Sequence, residues 1–150
     1  MEARSQSTLI FSSDHGGVEL RNRLVLHAKT IGCKVVDVGP HNLDSVDYPD
    51  QVHNALSEFF KLKADFIVLI CGSGIGVSMA ANRDRRIRAV VAANSAQARL
   101  ARQHNHANCL CLGARLTEFR EAKEIFNCFI ETEPDMSERH CRRVAQLGAL

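Results

Sequence analysis

Two hydrophobic rhythms alternate along this chain. Short apolar runs at Thr8 to Ser13 (TLIFSS), Cys33 to Val38, Asp65 to Cys71, Ile87 to Ala92 and Asn108 to Leu112 read as five strands. The stretches between them carry apolar residues at the helical period. Val18 to Ile31 puts Leu20, Leu24 and Ala28 on one stripe, with Gly32 just past its end. A second strand is stopped by Gly39-Pro40, a polar loop runs from His41 to Tyr48, and Pro49 opens a helix to about Lys63. Further helices are expected at Gly76 to Asn82, Ser95 to His104 with an Asn94 or Ser95 cap, Glu118 to Ile130 and Met136 to Leu147.

Strands separated by helices predict an α/β fold: a single-domain, three-layer sandwich. Its centre is a Rossmann-like five-stranded parallel sheet with right-handed crossovers and helices on both faces. Ligands of such sheets bind outside the carboxyl ends of the strands. The loops expected there are the polar ones: Asp14-His15-Gly16-Gly17, Asp47-Tyr48-Pro49-Asp50, Cys71-Gly72-Ser73-Gly74 and Asn94-Ser95. No repeat, low-complexity tract or linker interrupts the pattern. Residues 1–7 read as a flexible tail and 8–150 as one domain.

Composition narrows the partners. At 150 residues, with 45% apolar and 24% charged positions, the chain can bury a core of its own. A formal charge of +2 with no basic block longer than Arg85-Arg86 or Arg142-Arg143 calls for neither nucleic acid nor membrane. No segment approaches the ~20 apolar residues of a membrane span. Met1 to Ser7 is polar and lacks the apolar core of a signal peptide, so a cytoplasmic setting is expected. The six cysteines (Cys33, Cys71, Cys109, Cys111, Cys128, Cys141) include no C-x-x-C, and Cys33, Cys109 and Cys111 sit in apolar runs. Reduced, unligated thiols are expected, and no metal site.

The candidate chemistry centres on Val68 to Gly76, VLICGSGIG, where a buried strand runs into a thiol, a hydroxyl and three glycines. Glycines allow backbone N–H groups to form an anion-binding nest, and a thiol at a helix start is favoured as thiolate. Asp14 reads equally as an N-cap and as a ligand contact, while His15 is a polar side chain at the ligand edge. A dinucleotide fingerprint is absent after the first strand. Arg102 reads as a charged helix terminus, with His104 and Asn105 open between that role and a site. Arg115 follows the fifth strand. Arg139, His140 and Arg143 share one face of the last helix, where paired guanidiniums suit a phosphate or simply a solvated face.

Together these motifs resemble the type B ribose-5-phosphate isomerases, a sugar-phosphate isomerase family that includes allose- and galactose-6-phosphate isomerases. The resemblance spans residues 8 to 147. It rests on Ser13-Asp14-His15, Asp47-Tyr48-Pro49, Ile70 to Gly76, Ala80-Ala81-Asn82, Arg102 to Asn105, Gly113-Ala114-Arg115, and Arg139-His140 with Arg143-Val144. It implies aldose–ketose isomerisation through an enediolate, with no cofactor. In that scheme Cys71 is the base at carbon 2, Ser73 assists proton movement, and backbone N–H groups from Gly72 through Gly74 to Gly76 hold the oxyanion. His104 opens the sugar ring, helped by Asp47 and oriented near Tyr48. Asn105 and Asp14 contact sugar hydroxyls. His15, Arg115, Arg139, His140 and Arg143 bind phosphate, the last-helix residues reaching a neighbouring subunit's site in a homodimer or tetramer.

The glutamate that replaces the cysteine in some members would stand at Val77, so Cys71 has no substitute. His106 replaces a usual aspartate, Ser137-Glu138 replaces glycines, and Arg85-Arg86 fills a turn usually built from smaller residues. The resemblance leaves open a six-carbon sugar phosphate as substrate. A non-catalytic sugar-phosphate- or nucleotide-binding module is the rival from another class, although pure binding has no use for a thiol base. A cysteine phosphatase would need C-x5-R, which is missing.

Overall fold

The computed structural model describes residues 6–150; the expected tail over 1–7 therefore lies, as far as Ser5, outside the described residues. Strands β1 (Thr8–Ser13), β2 (Lys34–Asp37), β3 (Phe66–Cys71), β4 (Ala89–Val91) and β5 (Cys109–Gly113) form one parallel sheet in the order β2-β1-β3-β5-β4. Helices α1 (Val18–Thr30), α2 (Tyr48–Leu62), α3 (Ile75–Ala81), α4 (Ser95–Asn105), α5 (Phe119–Glu131) and α6 (Glu138–Gly148) follow the expected order. Among the described residues no helix is long and apolar enough to cross a membrane.

The period of two along each strand divides the core. Leu9, Phe11, Val68, Ile70, Leu110 and Leu112 face α1, α4 and α5, where Leu24, Ala98, Phe126 and Phe129 pack against them. Ile10, Ile67, Leu69, Cys71, Cys109 and Cys111 face α2 and α3, meeting Val52, Ala55, Phe59, Val77 and Ala81. Every residue of β3 is buried, as a central parallel strand covered on both faces requires. Each large side chain so enclosed contributes about 2 kcal/mol of apolar burial.

Two details set the loops around the site. The strand expected over Ile87 to Ala92 is regular only from Ala89 to Val91, because side-chain amides replace part of its ladder. Asn82 exchanges two hydrogen bonds with the backbone of Ala89, and Asn108 accepts from Arg88 N and donates to Arg86 O. On the opposite flank, fully buried Arg21 ties together the carboxyl ends of β1 and β2. It donates to Ser13 Oγ and to the Pro40 carbonyl, and pairs with Asp37 at 3.0 Å. The Ser12 hydroxyl reaches Gly39 O and Gln51 O, joining α2 to the same knot.

Candidate active site

The strand order reverses direction on either side of β1 and β3, and the crevice at that switch point is where an open α/β sheet binds ligands. Here Asp14, Tyr48, Cys71, Gly72, Ser73, Gly76, Arg115 and Leu116 line a cavity of about 310 Å³. Cys71 ends β3, and the Gly74 N–H donates to its sulfur at 3.1 Å. That bond needs Gly74 at φ +78°, the left-handed region that glycine enters without strain. The expected nest is thereby altered: the Gly74 N–H serves the sulfur, and the Ile75 N–H is taken by Ser73 Oγ at 3.2 Å.

The cavity walls are set by close approaches. The Tyr48 ring lies over Gly76, so close that a Cβ there would stand 2.8 Å from its Cζ. The Arg115 guanidinium lies across Gly72 in the same manner, 3.3 Å from where a Cβ would be, and the Arg115 N–H bonds Gly72 O. Asp14 caps the short turn His15–Gly17 through its Oδ1, which accepts from Gly16 N at 2.9 Å. One carboxylate therefore both caps and lines the cavity. His15 Nδ1 accepts from Val46 N at 3.3 Å, which puts the proton of a neutral ring on Nε2. Asp47 occupies the N-cap position of α2, but its carboxylate makes no capping bond and is exposed beside Tyr48.

The remaining candidates lie elsewhere. Helix α4 starts after the carboxyl end of β4 and runs back, so His104 and Asn105 reach the amino edge of the sheet. Cys71 pairs with Gly113 and Ile67 with Cys109, so those edges are four strand steps, about 13 Å, apart. Within one protomer His104 thus meets neither Asp47 nor Tyr48. It stacks instead on His140 of α6, ring centroids 4.6 Å apart and planes within 6°. His140 is the one buried residue of α6, whereas Arg139 and Arg143 are exposed. Loss of hydration pushes the His140 imidazole below its ordinary value, against the pull of Asp135, while His104, Arg139 and Arg143 add to the lowering.

A family model described as Ribose/Galactose Isomerase matches residues 9–147. The chain belongs to that family. Ribose-5-phosphate isomerase B of Escherichia coli is 34% identical over 142 residues, covering 95% of each chain. The crystal structure of a ribose 5-phosphate isomerase from Thermotoga maritima superposes with a TM-score of 0.92 at 38% identity, over 96% of this chain and 99% of that one. Ribose-5-phosphate isomerase B of Mycoplasma genitalium, solved with bound ribulose-5-phosphate, has a TM-score of 0.89 at 35% identity, over 95% and 94% of the two chains.

Three features of this ribose/galactose isomerase family member escape sequence reasoning. Arg102 is no solvated helix terminus: it is buried, donates to Ala107 O and Thr132 O, and lies over Phe66. Arg21 has no motif to announce it, though a lone arginine on an apolar helix stripe was the available signal. Cys111 joins Cys109 and Cys71 on one face of the sheet, with the Cys109 and Cys111 sulfurs 3.9 Å apart. All six cysteines are free of disulfides. Burial pushes the Cys111 thiol well up, with Cys109 and Cys71 adding to it. Of these three, only Cys71 lines the cavity.

Proposed function

We propose that this chain interconverts ribose 5-phosphate and ribulose 5-phosphate at a site shared between two copies. The observation that carries the reading is the cavity at the end of β3, where a thiol with an N–H donor aimed at its sulfur stands among Asp14, Ser73, Tyr48 and Arg115. The name and bound ribulose-5-phosphate of the Mycoplasma genitalium relative support the same substrate.

In this reading the phosphate is held by Arg115 and His15, joined by Arg139 and Arg143 of a second copy. His104 of that copy, with Asn105, serves ring opening by moving a proton between the ring oxygen and the anomeric hydroxyl. Cys71, as thiolate, takes the proton from carbon 2. The electron pair becomes the C1–C2 double bond, and the aldehyde oxygen becomes the enediolate oxygen, held by N–H groups of the Gly72 to Gly76 turn other than those of Gly74 and Ile75, which serve the Cys71 sulfur and Ser73 Oγ. Ser73 relays the proton between the two oxygens. The thiol then returns its proton to carbon 1, leaving a ketone at carbon 2. Metal and redox cofactors have no step in this scheme. The composite site accounts for how His104, across the sheet from its own Cys71, can act, and it calls for a homodimer or a larger assembly built on one.

A coupled assay tests the reading, comparing ribose 5-phosphate with allose and galactose 6-phosphates. Wild type is expected to favour the pentose in kcat/KM, and Cys71→Ala to fall by at least about a thousandfold, the scale of losing a reacting group. A preference for a hexose phosphate would reassign the substrate. Binding without turnover by the intact protein would make it a binding module.

A further inference from the structure

His104 is, with Asn105, one of two exposed side chains in the last turn of α4, and among the described residues no hydrogen bond from its own helix restrains it. An exposed ring that must present one nitrogen to a substrate loses rate when it samples other rotamers. Here it lies flat against His140, 4.6 Å between centroids and 6° from parallel. The His140 ring is itself buried to 6% exposure, and its Nε2 makes no hydrogen bond among the described residues. The nearest acceptor, Asp135 Oδ2, is 3.5 Å away. The His140 ring thus meets His104 through its face.

The surroundings fix that face relative to α4. Asp135 donates from its N–H to Gln103 O at 2.9 Å, and its carbonyl meets His106 Nε2 at 2.9 Å. Its Oδ1 accepts from Ser137 N at 2.8 Å, the turn that launches α6. His106, which ends α4 at φ 48°, and Ser137, two of the family departures, thus both take part in clamping α6 to the helix that carries His104. The charged and titratable groups around the stack are Asp135 from the loop, His106 from the α4 cap, and Arg139 and Arg143 from α6.

We propose that His140 is a positioning residue for His104: its buried ring is the platform that orients the ring-opening imidazole, and it does not contact the phosphate. This rests on the proposed role of His104. A neutral platform leaves His104 free to cycle between its charged and uncharged forms, since two stacked imidazoliums would repel.

Two substitutions separate the platform from simple space filling: His140→Phe keeps a flat ring, and His140→Leu fills the volume without one. One readout is the His104 ring signal in histidine-labelled protein, which feels the ring current of whatever it stacks on. It is expected to change character in His140→Leu and to stay shifted in His140→Phe. The other compares two rates. Net isomerisation of ribose 5-phosphate needs ring opening, whereas exchange of the carbon 1 proton of ribulose 5-phosphate in heavy water does not, because that ketose has no ring to open. In His140→Leu isomerisation is expected to fall about tenfold more than exchange, with KM nearly unchanged, and His140→Phe to recover most of it. A rise in KM for both reactions at constant kcat would overturn the proposal in favour of a phosphate contact. Equal losses in the two reactions, or a His104 signal indifferent to both variants, would overturn it as well. If the wild-type protein turned over no sugar phosphate, the proposed function would fail while the His104 signal still decided the platform.

Discussion

Cys71 is distinguished from the other thiols on its face of the sheet by what reaches it. Cys109 and Cys111 are wholly enclosed, and burial holds Cys111 as a thiol, whereas Cys71 ends its strand at the cavity with the Gly74 N–H on its sulfur. Cys111→Ala should therefore cost about 1 kcal/mol of stability, as a small buried truncation does, and leave isomerase turnover within a few-fold. Denaturant unfolding with the coupled assay checks both; a collapse of activity in the folded variant would mean the buried thiol takes part. Tyr48 offers a second check at this scale. Its ring occupies the space of a Gly76 Cβ, so Gly76→Ala must move the ring, and kcat/KM should drop by roughly tenfold or more. Asp14, Cys71, Ser73 and Arg115 were legible as single residues because each stands at the carboxyl end of a strand of the parallel sheet or within two residues of it. Arg21, Arg102 and His140 were not, since a buried cation or imidazole looks in sequence like a solvated one.

Among the elements, helices were legible because each carries an apolar stripe, a cap or a proline at its start. The short strand β4 was overestimated because the backbone of Arg86 and Arg88 is bonded by the Asn108 side-chain amide and Ile87 N turns back to the Asp84 carbonyl, which no hydrophobic period reveals. The loop between β2 and α2 depends on Arg21. Removing its charge leaves Asp37 with only the Gly39 N–H and takes the Arg21 donor from the Pro40 carbonyl, so Arg21→Met should cost about 3 kcal/mol in urea unfolding. Retention of wild-type stability would mean the knot carries no net energy. The turn between α3 and β4 makes a gentler prediction. The Arg86 side chain, bonded to both Asp84 oxygens, holds that carboxyl at about 2, below its ordinary 3.8. A folded value below the unfolded one contributes stability above about pH 4 and loses it as pH falls through about 2. The pair is partly solvated, so Asp84→Asn should cost under about 1 kcal/mol at pH 7. Unfolding at both pH values should show that cost gone near pH 2.

At the scale of the molecule, topology decides which sheet edge each helix end reaches. A helix that follows a strand in a parallel sheet returns to the amino edge, so α4 carries His104 away from the Cys71 cavity of its own chain. The fold class, strand number and helix placement were all legible from the alternation of apolar runs and helical periods. The separation of His104 from Asp47 was implicit in the same alternation, but motif matching ranks residues by their place in a pattern and not by the sheet edge they reach. Ile75 and Met79 on α3 are exposed apolar side chains, and Met79 shares a groove with Tyr48.

Mixing two inactive variants tests the shared site most directly. Cys71→Ala and His104→Ala proteins, dissociated and reassociated together, form mixed dimers in which one site carries both lesions and the other neither. The account predicts recovery of about a quarter of wild-type ribose 5-phosphate isomerisation after random pairing, one intact site per mixed dimer. Mixed dimers demonstrated by mass spectrometry but no more active than the separate variants would contradict it.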